Sequence, residues 1–115
     1  MTDFNRHYES DVQAKKREVV RLATQMIEGS LGVIEGCTKL ATISHDLEFL
    51  GSIDDFNIFV AVNSETDHLP IEPSVRTLWS GKALIRIDAE IAEYERAARS
   101  NVRKACEILI LRFSE

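Results

Sequence analysis

Proline is nearly missing from this chain: there are two, Pro70 and Pro73, with none before or after them. Long stretches on both sides are therefore free of the residue that most strongly breaks a helix. Cysteine is as sparse. Cys37 and Cys106 have no Cys-x-x-Cys or Cys/His spacing around them, which leaves no recognisable zinc or redox motif. Each falls on the apolar stripe of a predicted helix and reads as a small buried hydrophobe. No apolar run approaches the roughly 20 residues that span a bilayer. The opening MTDFNRHYES carries early acids and no apolar core of a secretory leader. A cytoplasmic location and no membrane partner are the expectation. Basic excess is lacking too: 19 acids against 14 bases leave a net charge of −5, which argues against nucleic acid as a partner. The most basic patch, Lys15-Lys16-Arg17, lies beside Glu9, Asp11 and Glu18 and reads as a solvated helix face. There is no G-x-S-x-G, G-x-G-x-x-G or Walker loop. No conventional enzyme signature is present, and no cofactor is implied.

What is there is helical periodicity. Between Ser80 and Phe113, apolar residues fall at Leu84, Ile87, Ile91, Tyr94, Ala98, Val102, Ala105, Leu109 and Phe113. Steps of three or four keep one stripe of a helix facing a core. Ser80 is placed to cap that helix, which at 1.5 Å per residue spans about 50 Å. A first helix runs from a cap at Ser10 or Asp11 to about Glu28, with Val12, Val19, Leu22, Ala23, Met26 and Ile27 inward. Residues 1–8 are polar and expected to fray. Gly29 supplies a stop and Ser30 the next cap. A second helix runs from about Leu31 to Asp46 on Val33, Ile34, Cys37, Leu40, Ala41 and Ser44. Gly32 and Gly36 sit four apart there, a costly choice inside a helix that points to close approach of a neighbour.

Residues 47–52 form a connection whose apolar side chains should tuck beneath the bundle. The run Ile58-Phe59-Val60-Ala61-Val62 suits a buried strand as well as a helix. With no second strand-like run to pair with, helix is the expectation, capped by Asp54. Pro70 and Pro73 interrupt the chain, Pro73 opening a short helix through Trp79. Trp79 reads as a core plug at the corner. On the long helix, Arg86/Glu90, Glu95/Arg99 and Arg103/Glu107 are outward i, i+4 pairs. Ile108-Leu109-Ile110-Leu111 is apolar all round, so those turns should lie mid-domain or against another copy. The sum is one all-α domain over residues 1–115: a four- to five-helix bundle with the 80–113 helix as its spine.

Candidate site residues are few. Glu65-Thr66-Asp67-His68 holds the Glu-x-x-His spacing of di-iron bundles, but once rather than twice, with Leu69-Pro70 ending the helix. A polar helix end is the simpler reading. Glu28 and Glu35 could join Glu65 or Asp67 in a polar pocket as an acid/base pair. Binding groups concentrate on loops held by a rigid scaffold, which favours Glu65, Asp67 and His68 as contact residues.

Glu35-Gly36 in an apolar helix, Ser64 through Pro70, Trp79, and Asp88-Ala89-Glu90-Ile91 together resemble a family of small bacterial proteins catalogued as a domain of unknown function. The likeness covers about residues 19–113. It implies a helical, cytoplasmic domain and carries no catalytic residues. In size and acidity the chain also resembles immunity proteins that neutralise a toxin. The leading functional expectation is a non-enzymatic protein-binding module of immunity or small regulatory type, with a partner of basic character. One alternative is a metal- or small-ligand-binding protein, or a hydrolase, using Glu28, Glu35, Glu65 and His68. Another is a homodimer assembled through the long helix.

Overall fold

The computed structural model describes residues 3–47 and 54–114. They form five helices: α1 (Asp3–Glu28), α2 (Val33–Asp46), α3 (Asn57–Thr66), the single turn α4 (Pro73–Arg76) and α5 (Gly81–Phe113). A 3-10 turn at Asp54–Phe56 leads directly into α3. No strand occurs among the described residues, so the ambiguous run at 58–62 is helical. Burial there follows helical spacing: Phe56, Phe59 and Val62 are buried three residues apart, while Val60 is 37% exposed.

Helix boundaries follow from end chemistry. Gly29 adopts φ +85°, with Gly29 N–H donating to Met26 O and Ser30 N–H to Gln25 O. That paired closure is the Schellman stop, and it relies on glycine's freedom to take a left-handed conformation. Helix α1 begins at Asp3 rather than at a Ser10 or Asp11 cap. Residues 3–11 hold neither glycine nor proline, and extending an established helix gains a hydrogen bond per residue. Ser30 does not cap α2 either. Its hydroxyl donates back to Gln25 O at 3.3 Å, and Gly32 takes the N-cap position without a side chain to offer. Ser80 does cap α5, accepting from Ala83 N–H at 3.1 Å.

Four helices alternate in direction. Thr38 in α2 donates to Asn63 in α3 at 2.9 Å, while Leu47 and Phe56 share the core at the other end of that pair. Asp55 meets Arg112 at 2.6 Å and Glu65 meets Tyr94 at 2.5 Å, so α3 and α5 are antiparallel. Met26 of α1 lies against both Gly36 of α2 and Cys106 of α5. The result is an up-down-up-down bundle of α1, α2, α3 and α5. Its core includes Val19, Leu22, Cys37, Leu40, Phe56, Phe59, Val102, Cys106 and Leu109. The Phe56 ring meets Phe59 edge-on at 6.3 Å and Phe113 at 5.9 Å, closing one end. The buried hydroxyls of Ser44 and Thr66 are satisfied by Ala41 O and Val62 O within their own helices.

The spine is longer than the bundle. Only Val102, Cys106 and Leu109, all in its second half, are buried on α5. In its first half the stripe residues Leu84, Ile87 and Ile91 are half-buried. The molecule is drawn out to 59 × 28 × 22 Å, with a radius of gyration of 16.2 Å. Three further expectations need correction. The 108–111 turns do not lie mid-domain: Leu109 is buried, but Ile108 is 43% and Leu111 78% exposed on the single chain. Trp79 is no core plug, being 42% exposed where α4 stands off the bundle. Glu95 faces inward to α2 rather than outward to Arg99. Leu47 is buried, whereas the expected tuck of 48–52 lies outside the described residues.

Candidate functional site

One open cleft of about 1080 Å³ lies between α2, the end of α3 and the segment leading through α4. Its near wall is one face of α2: Ile34, Glu35, Thr38 and Lys39. The floor is the last turn of α3 and its exit, including Asn63, Thr66, Asp67 and His68. The far wall is mostly apolar, with Leu69, Ile71, Pro73, Val75 and Trp79.

The two prolines build that far wall. Buried Pro70 ends any continuation of α3, and Pro73 at the first position of α4 restarts a single turn. Helix α4 buries none of its residues, so it depends on polar ties. Arg76 supplies them, donating to both oxygens of Asp88 at 2.7 and 2.8 Å and to Pro70 O at 3.3 Å. The two-pronged contact ties α4 and its flanking residues 70–79, the strap, to α5. It also holds the Asp88 carboxyl below its usual range, chiefly through the hydrogen bonds from Arg76.

The cleft unites three of the five residues singled out from sequence. Glu35, Asp67 and His68 line it; Glu28 and Glu65 do not. Glu28 is exposed at the end of α1. Glu65 instead accepts a hydrogen bond from the Tyr94 hydroxyl. Burial first, and that bond second, push the Tyr94 phenol up to about 12. Glu35 sits 3.8 Å from Lys39, an exposed i, i+4 pair. No group of three His, Cys, Asp or Glu among the described residues is arranged to hold a metal. The Glu-x-x-His spacing is broken by geometry: α3 ends at Thr66, so Glu65 and His68 no longer share a helical face.

Both thiols are free and buried. Burial pushes Cys37 up to about 12 and Cys106 up to about 11. Neither can supply a thiolate nucleophile at neutral pH. Trp79 and Val75 are among the cleft residues that the sequence does not mark as a site, Trp79 reading there as a core plug. The available signal was their position between a proline-opened turn and the Ser80-Gly81 break, with too few apolar neighbours to build a corner.

No family model, curated protein or solved structure matches the chain. No helix among the described residues is long and apolar enough to cross a membrane.

Proposed function

We propose that this protein is a non-enzymatic protein-binding module, of immunity or small regulatory type, whose working surface is the cleft between α2 and α4. The observation that carries the reading is the half-exposed Trp79 at the edge of a cleft of about 1080 Å³. Val75 beside it is 41% exposed, and Leu78 just outside is 84% exposed. Contiguous large apolar side chains on a rigid scaffold mark interaction sites, and tryptophan is among the residues that most often anchor them. Asp67 and Glu72 give the cleft an acidic edge suited to a basic partner. A metal- or hydrolase-type reading draws less support, because Glu28 and Glu65 lie outside the cleft.

The test is affinity capture from the host with wild-type bait and with Trp79→Ser, Asp67→Asn and His68→Ala baits. A different protein that is retained stoichiometrically by wild type and lost with Trp79→Ser, at unchanged melting temperature, is the expected result. A complex indifferent to all three substitutions would sink the assignment of the cleft.

A further inference from the structure

The apolar edge of the cleft continues onto the first turns of α5, and there the charge changes sign. Leu78 and Ile85 are 84% and 75% exposed, more than Val75 and Trp79. Residues 81–87, Gly-Lys-Ala-Leu-Ile-Arg-Ile, contain two bases and no acid. Lys82 and Arg86 are one turn apart and exposed. Across the same apolar strip, the cleft carries Asp67 and Glu72, also exposed. None of these four charges has an ion-pair partner among the described residues. The surface thus holds an acidic side, an apolar centre and a basic side.

Such a patch is complementary to itself. A two-fold axis through its centre sets the basic side of one copy on the acidic side of the other, and every contact occurs twice. We infer that a second copy of the chain covers the cleft, its Lys82–Arg86 turn seated against Asp67 and Glu72 and its Leu78 and Ile85 against Val75 and Trp79. The apolar centre supplies the association, and the charges fix its register. A standard interface takes roughly 800 Å² per partner, about a tenth of a small protein's surface. On a surface of 7660 Å², the exposed Val75, Leu78, Trp79 and Ile85 are four of the seven exposed large apolar side chains among the described residues. The exposed pair Ile108 and Leu111 at the other end of α5 has only two large side chains and no comparable separation of charge. A second copy brings to the cleft the same kind of basic and apolar groups that a basic partner would, because both complementary halves stand on this one chain. The inference rests on reading the cleft as a protein-docking surface and names its occupant.

The experiment is mass by light scattering of the purified full chain over a dilution series, with Trp79 emission followed alongside. Since Trp79 is the sole tryptophan, its emission reports on the cleft alone. The expected result is a mass of twice 13.0 kDa that falls on dilution, with Trp79 emission shifting to the red as it does. Arg86→Glu and Ile85→Glu each weaken the dimer roughly tenfold or more. Adding Asp67→Arg to Arg86→Glu restores it, which a merely misfolded variant would not do. A monomer at every concentration to the solubility limit overturns the inference, as does a dimer indifferent to both single substitutions. A monomer leaves the proposed function standing, since its test reads a different protein lost with Trp79→Ser.

Discussion

Glu95 in α5 accepts a hydrogen bond from the backbone N–H of Ile34, 61 residues earlier, at 3.1 Å. Helix α2 opens at Gly32, which has no side chain to cap it, so the spine of the bundle caps it instead. A free N–H at a helix start that is partly shielded from water needs such a partner, and a carboxylate also meets the positive end of the helix dipole. Glu95→Ala should cost about 1 kcal/mol, lowering the melting temperature by roughly 4–8 °C. Glu95→Gln keeps an acceptor oxygen and should lose less. Thermal unfolding followed by circular dichroism measures both.

Gly36 sets helix propensity against the fit of one flexible side chain. A Cβ there would meet Met26 Sδ and stand 2.6 Å from Met26 Cγ. Met26 is only partly buried and lines a small cavity of about 120 Å³, so its flexible end can swing aside at little cost. Alanine gains about 1 kcal/mol in helix propensity, and the net expectation for Gly36→Ala is a small change in stability. In the Met26→Ala background the gain should be larger. A double-mutant cycle in urea with no coupling between the two sites would rule out the contact.

The two ends of the pH scale strain different parts of the molecule. Cys37, Cys106 and Tyr94 are raised in the fold from 9.0, 9.0 and 10.0 to about 12, 11 and 12, mainly by burial. Above about pH 9 the unfolded chain sheds these protons while the native one keeps them, so stability falls as pH rises from about 9 to 12. At neutral pH both thiols should resist a disulfide reagent until denaturant is added. Ready labelling of native protein would contradict their burial.

On the acid side, Asp88 is depressed below 3.8 by Arg76. Its contribution is present above that value and fades as pH falls through the folded one. Asp88→Asn should flatten the acid limb of a stability–pH profile. It should also free α4, read as faster proteolysis near Arg76.

Two leucines near the end of α5 separate sharply. Leu109 is fully buried and Leu111 is 78% exposed. Leu109→Ala should cost about 2–5 kcal/mol, and Leu111→Ala no more than about 0.5 kcal/mol. Similar losses at both positions would mean that these turns are enclosed on all sides.

The helices were legible because their signals are local. Three- and four-residue steps, Gly29, Ser80 and the two prolines each act within one turn of where they stand, and α2 and α5 lie within two residues of their expected limits. What the sequence concealed is longer in range. Glu95 reads equally well as a partner for Arg99, and only folding brings Ile34 to it. Apolar character at 108–111 speaks of burial, but which side is covered depends on where neighbouring helices stop. For the same reason Glu35, Asp67 and His68 meet in one cleft while Glu28 and Glu65 do not. Motif spacing describes one helix, and the cleft is made by three segments.

The overhang of α5 has a practical outcome for anyone weighing this protein in solution. A compact chain of 115 residues has a radius of gyration of about 13 Å, against the 16.2 Å found here. Friction grows with elongation, so the chain should diffuse slowly and leave a sizing column early, in the position of a heavier globule. A column calibrated with spherical standards would therefore report an oligomer even for a single chain.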